Sequence, residues 1–122
     1  MIFSLTRHQL IGQQGERTAE RYLLEQGLRL VTRNYRCQSG EIDLIMRDGD
    51  TLVFVEVRQR KSSDYGSPLE TVSVAKQRKI LSASQHYLQS EKISSRQAMR
   101  FDVVGVIHDG KQARIDWVRN AF

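Results

Sequence analysis

The sequence predicts an α/β domain in which a central mixed β-sheet is flanked by helices. Three observations predict it. Two segments carry apolar residues at helical spacing, and the remaining ordered segments are short β-branched runs bounded by turn signals. Their order reads helix, strand, strand, strand, helix, strand, strand. The strands are apolar enough to need cover on both faces, which helices on either side of one sheet provide. A chain of 122 residues suits one domain spanning 1–122, with one core.

The first helix is expected over Arg7 to Gln26. Leu10, Ile11, Gly15, Ala19, Tyr22, Leu23 and Gln26 fall along one stripe, and Gly27 is the stop. An extended segment from Arg29 to Arg36 follows. "GEIDLIMRDGDTLVFVEVRQR", Gly40 to Arg60, then reads as a hairpin turning at "RDGD". "RQRKSSDYGSP" is the best loop candidate. The second helix is expected to begin at Ser67-Pro68, a cap followed by proline in the first turn, and to end near Glu91. Its inner side is read as Val74, Gln77, Ile80, Leu81, Ser84, Tyr87 and Leu88. "RFDVVGVI" is a buried-type strand, "HDGK" a turn, and "ARIDWVR" the strand that pairs back. Repeats, low-complexity tracts and linkers are absent from the pattern.

Bulk properties narrow the classes. Cys37 is the single cysteine, so the chain forms no internal disulfide and a reducing cytoplasm is the expected setting. "MIFSLTRHQL" is too short and interrupted for a signal peptide, and no apolar run approaches the ~20 residues that span a bilayer, so no membrane partner is expected. The net charge of +5 and a pI of about 9.7 favour an acidic partner, of which nucleic acid is the commonest. The charge is clustered: Arg58, Arg60 and Lys61 form one group, and Lys76, Arg78 and Lys79 a second.

The hairpin holds two acids in an apolar context. Asp43 lies between Ile42 and Leu44, and Glu56 between Val55 and Val57. Strand side chains alternate faces. Glu41, Asp43, Ile45 and Arg47 therefore share a face with Leu52, Phe54, Glu56 and Arg58, and the other face is expected to be purely apolar: Ile42, Leu44, Met46, Val53, Val55 and Val57. A Gly49-Asp50 turn sets Asp43 opposite Glu56; an Asp48-Gly49 turn sets Asp43 opposite Phe54 and diagonal to Glu56. Opposed Cβ atoms lie about 4.5–5.5 Å apart and diagonal ones about 7–8 Å. Two carboxylates that close repel unless one is protonated or a cation lies between them. Oxygen donors suit Mg²⁺ or Mn²⁺ rather than Zn²⁺. The plain alternative is a pair of buried ion pairs, Asp43 with Arg47 or another arginine and Glu56 with Arg58. "GERTAERYL" offers Glu16 and Glu20 as a third acid, and Glu16, bordering the buried stripe, is the better placed.

A helix Glu, a strand Asp and a Glu-x-basic element on the next strand together resemble the PD-(D/E)xK nuclease superfamily, which includes restriction endonucleases and archaeal Holliday-junction resolvases. More closely, the chain is similar to the YraN family of small bacterial proteins. "GERTAERYL", "RNYRCQSGEIDLI", "DGDTLVFVEVRQR", "AKQRKI", "RFDVV" and "IDWVRNAF" carry that resemblance over nearly the whole chain. It implies a restriction-endonuclease-like fold and a Mg²⁺ or Mn²⁺ site. Glu16 matches the helix acid, Asp43 the strand acid and Glu56 the acid of the Glu-x-Lys element. Val57 would add its backbone carbonyl, and Gln77 matches a polar position early in the second helix. Arg58 departs from the pattern's lysine. Arginine is effectively always protonated and cannot act as a base, but it can orient a water or stabilise charge on a phosphate.

Two expectations follow. One is a metal-dependent nuclease, its substrate structured or branched DNA by analogy, with Asp43, Glu56 and Glu16 at the metal, Arg58 at water or phosphate, and Arg60, Lys61, Lys76, Gln77, Arg78 and Lys79 along the nucleic acid. The other is a nucleic-acid-binding module of the same fold with lapsed catalysis. A weaker third is a protein-interaction domain with a purely structural acid cluster. The resolvase analogy also admits a homodimer.

Overall fold

The computed structural model describes residues 6–61, 66–109 and 112–122, with residues 7–10 and 109 described for the backbone only. Residues 62–65 of the loop expected over Arg58 to Pro68 and residues 110–111 of the "HDGK" turn lie outside the described residues, as do the side chains of His8 and Leu10. The elements run α1 (Arg7–Glu25), β1 (Arg29–Cys37), β2 (Gly40–Asp48), β3 (Thr51–Arg60), a 3-10 helix (Pro68–Thr71), α2 (Val74–Ser90), β4 (Met99–Asp109) and β5 (Gln112–Val118). The five strands form one sheet in sequence order. β3 and β4 are parallel and every other neighbouring pair is antiparallel, so the sheet is mixed. A parallel step needs a crossover, and the 3-10 helix and α2 supply it.

The expected α/β architecture is the observed one, and it is consistent with a restriction-endonuclease-like fold. α1 stops as the sequence predicts. Gly27 adopts φ 98°, the Leu28 N–H donates to the Leu23 carbonyl at 3.0 Å, and the Gly27 N–H donates to that of Leu24 at 3.0 Å. This is a Schellman closure, and Leu28 packs in one cluster with Leu23.

Two apolar layers enclose the sheet. Under α1, Ala19 and Leu23 pack on Leu44, Met46, Val53, Val55, Val104 and Val106. On the other face, Ile80, Ala83 and Tyr87 of α2 meet Ile45, Leu52, Phe54, Phe101 and Val103. Phe54 stacks on Phe101, and Phe101 on Phe122, at centroid separations of 5.4 and 5.3 Å. Each fully buried side chain of this size stabilises the fold by about 1.5–3 kcal/mol before entropy is charged against it.

Three sequence expectations change. The second helix does not run unbroken from Ser67. The 3-10 helix ends at Thr71 and α2 begins afresh at Val74, capped by Ser73, whose hydroxyl accepts from the Lys76 N–H at 3.1 Å. Its buried line is Ile80, Ala83, Ser84 and Tyr87; Ile80, Ser84 and Tyr87 lie on the predicted stripe, whereas Val74, in the first turn, and Leu81 are exposed. On α1 Ile11 is likewise exposed. Finally, Ile42 does not share a side with Leu44 and Met46. It packs with Ile45 and Phe54 on the α2 side, so the strict alternation lapses around Asp43. Across the β1–β2 ladder, Arg33 pairs with Leu44 and Tyr35 with Ile42; Asn34 between them has φ 50°, a left-handed kink opposite the lapse.

Candidate metal centre at the fork of the sheet

The hairpin adopts the Gly49-Asp50 turn, with Asp48 opposite Thr51. The β2–β3 ladder then runs only to Leu44 and Val55. Beyond that pair β2 stays with β1 as far as Gly40, and β3 stays with β4 as far as Arg60. The two strands part where the register would set Asp43 against Glu56. This fork frees a backbone donor: the Val57 N–H donates to Asp43 Oδ2 at 2.8 Å.

Asp43 and Glu56 are both buried, at 8% and 4% exposure, in spite of their charge. Burial raises the Glu56 carboxyl, and the charge and hydrogen bonding of Asp43 raise it further, while Lys76 and Arg58 oppose both. Burial and Asp43 win, and Glu56 is pushed up to about 8. Glu16 reaches Asp43 from α1. Burial, then the charge and hydrogen bonding of Asp43, then Glu41 push it up to about 7 against the opposing pull of Arg36. Asp43 is thus the shared neighbour of Glu16 and Glu56, one from a helix and one from the adjoining strand. Among the described residues no group of three or more His, Cys, Asp or Glu side chains is arranged to hold a metal ion as it stands.

Close packing positions Glu16. A Cβ on Gly15 would lie 1.5 Å from Gln59 Nε2, so only glycine leaves room for that amide, which donates to the Ile11 carbonyl at 2.9 Å. The bond ties α1 to β3 at Ile11, and the Gln59 side chain crosses the helix at Gly15, one residue before Glu16. Glu20, the other helix acid, is engaged elsewhere, accepting from Arg33 Nε and Nη2 at 2.6 and 2.9 Å.

The cations divide. Arg58 donates from Nη1 to Glu56 Oε2 at 3.3 Å, from Nε to Thr71 Oγ1 at 3.1 Å and from Nη2 to the Thr71 carbonyl at 2.7 Å. The ion pair read from sequence for Glu56 is therefore present beside the acid cluster. Lys76 Nζ also stands 3.8 Å from Glu56 Oε2. Arg60, expected along a nucleic-acid surface, is buried instead. Its side chain is 4% exposed, donates to the Gly66 carbonyl at 2.7 Å and lies 3.7 Å from Asp116. Gln77 donates to the Val72 carbonyl at 3.2 Å, bracing the joint between the 3-10 helix and α2. Lys61, Arg78 and Lys79 are exposed.

Thr71, Ser73, Gly15 and Gln59 place the site and escape sequence reasoning. Only Ser73 carries a local signal, a capping serine three residues before Lys76. The others act through contacts between segments distant in sequence. Asp102 of β4 is fully buried and accepts from Trp117 Nε1 and the Asn120 N–H, both at 2.9 Å, and from Arg100.

A family model described as "Uncharacterised protein family UPF0102" matches residues 15–106. The chain is 44% identical over 118 residues to a UPF0102 protein of Stutzerimonas stutzeri, covering 97% of this chain and 98% of that one. It is 47% identical over 121 residues to one of Coxiella burnetii, covering 99% and 97%. Against one of Chromohalobacter salexigens it is 50% identical over 111 residues, covering 91% and 89%. The matched region contains the fork and all three of its acids.

Proposed function

The chain belongs to the uncharacterised protein family UPF0102, and from that premise and the fork we propose that it is a divalent-metal-dependent nuclease that hydrolyses phosphodiester bonds in nucleic acid. One observation carries the reading: Asp43, buried at the fork, has the Glu56 carboxyl and the Glu16 carboxyl of α1 gathered beside it, and burial together with the charge of Asp43 raises the proton affinity of both. The donor set suits a hard cation, because Asp43 and Glu56, the Val57 carbonyl and the adjacent Glu16 offer oxygen alone. Mg²⁺ or Mn²⁺ bound there would polarise a phosphoryl oxygen and lower the pKa of a bound water. Asp43, steadied by the Val57 N–H, and Glu56 would be the principal ligands, and Glu16 would complete or steady the shell.

The cations around the acids have separate work. Arg58, fastened to Thr71, sets the orientation of Glu56 and presents its guanidinium edge to a phosphate or water. Lys76 brings a second positive charge to the same carboxylate from the first turn of α2. In this reading it contributes at the point where the superfamily pattern carries lysine and this chain carries Arg58. Structured or branched DNA is the substrate suggested by analogy with the resolvases, and a homodimer would match the two-fold symmetry of a four-way junction. The second reading, a nucleic-acid-binding module with lapsed catalysis, draws on Arg58 itself, whose three nitrogens are already engaged by Glu56 and Thr71.

The test is incubation with branched and single-stranded DNA in Mn²⁺ or EDTA, alongside Asp43→Ala. Metal-dependent cleavage that disappears in the variant is the expected outcome. Salt-sensitive binding without cleavage in any metal would leave only the module, and no binding at all would remove both readings.

A further inference from the structure

α1 presents an outward stripe at helical spacing: Glu16, Arg17, Glu20, Arg21 and Leu24 lie on neighbouring turns. Two hollows follow it. The first is bordered by Glu16, Arg17, Glu20 and Arg33, so it opens onto one of the fork's acids. The second, about 420 Å³, shares Arg17, Glu20 and Arg33 and continues past Arg21 to Leu24. Together they make a seam between α1 and β1 that leads away from Asp43 and Glu16.

The charges of the seam are not evenly cancelled. Glu20 and Arg33 are closed on each other by two hydrogen bonds, at 2.6 and 2.9 Å, which spends both. Arg17 and Arg21 are exposed and make no ion pair among the described residues. Beside them Leu24, which lines the second hollow, is 44% exposed, an apolar side chain next to a double positive charge. Paired cations flanked by an apolar side chain along a groove suit a phosphodiester backbone, with charge for the phosphates and a dry surface for sugar or base. None of the cations in the two sequence clusters lies here.

We propose that the seam between α1 and β1 is the track along which a single nucleic-acid strand runs from the fork, with Arg17 and Arg21 contacting successive phosphates and Leu24 lying against a sugar or base. The assignment rests on the nuclease reading for its direction, since the strand must pass Glu16 to reach the acids. It adds a surface that the sequence clusters at Arg58 to Lys61 and Lys76 to Lys79 do not include.

The experiment measures binding rather than cleavage, using Asp43→Ala protein in EDTA and a fluorescent single-stranded oligonucleotide over a series of salt concentrations. Adding Arg17→Ala and Arg21→Ala together should weaken binding about tenfold, and should reduce the slope of log affinity against log salt by about 1.4, or ~0.7 per lost phosphate contact. The comparison is Arg96→Ala with Arg114→Ala, which removes the same charge from exposed positions outside the seam. Circular dichroism and melting confirm that each protein is folded. Equal losses in both double variants would overturn the track, leaving only general attraction to a basic protein. So would unchanged binding in the seam variant while the parent binds. A parent that binds no nucleic acid at all would instead remove the nuclease reading and the track with it.

Discussion

Glu56 sits under opposing influences whose balance can be measured. Arg58 and Lys76 lower its proton affinity, yet burial and Asp43 hold it at about 8, and Glu16 is held at about 7 by the same two causes. An ordinary glutamate titrates near 4.5. Between about 4.5 and 8 the folded protein therefore keeps protons that the unfolded chain has released. Stability must fall as pH rises through that window, and must be greatest below it. Glu56→Gln keeps the shape and removes one of these protons. In EDTA the variant should melt close to the parent's temperature at pH 5 but about 4 °C or more above it at pH 8, ~4 °C being the shift that ~1 kcal/mol makes in a domain of 122 residues. Parallel curves for the two proteins from pH 5 to 8 would mean that Glu56 is not the strained group. Millimolar Mn²⁺ should raise the parent's melting temperature at pH 8 more than the variant's, because a ligand of the folded state stabilises by mass action. The nearness of Asp43 to Glu56 was legible in the hairpin because both candidate turns set the two acids opposite or diagonal to each other. The proton-holding state was not, because it depends on burial by α1 and α2.

At the scale of elements, the decisive feature is the joint between the 3-10 helix and α2. Ser73 restarts the helix, and the restart sets Lys76 in its first turn, 3.8 Å from Glu56. The same joint lends Thr71 to Arg58 through two hydrogen bonds. Ser73→Ala should cost about 1 kcal/mol of stability in urea denaturation, the usual worth of a helix cap, and Ser73→Asp should retain most of it. If the alanine variant is as stable as the parent, the cap carries no weight and Lys76 is held by something else. The sequence shows a capping serine with proline at Ser67-Pro68 and a second serine able to cap at Ser73, and local rules cannot choose between one helix and two. The choice falls to Val72, which is buried in the α2-side core and draws the chain inward between the two starts.

For the molecule as a whole, the sheet is closed at its C-terminal edge by a polar knot. Asp102 binds Trp117, the Asn120 backbone and Arg100, and Arg100 reaches on to Asp48 at 2.8 Å. The Ala121 N–H donates to the Phe101 carbonyl at 2.6 Å, which seats Phe122 on the aromatic stack. Asp102→Ala leaves three donors without their acceptor, one of them a half-buried guanidinium. It should cost about 3–5 kcal/mol in denaturant melts, far more than any exposed ion pair. A loss below ~1 kcal/mol would show that water replaces the carboxylate freely. Among the described residues no helix is long and apolar enough to cross a membrane.

What the sequence by itself determined is local and periodic. It set the order of elements, the stop at Gly27, the hairpin with its two candidate turns and the choice of Glu16 over Glu20, each a matter of spacing along one segment; the structure chose the Gly49-Asp50 turn. The tertiary structure decided where β2 and β3 part, which releases the Val57 N–H to Asp43. It also turned Arg60 from an expected surface contact into a buried anchor, brought Lys76 to Glu56, and opened the seam of Arg17 and Arg21. These depend on how separate elements pack, and packing is set by the summed burial of many side chains rather than by a pattern in any one stretch.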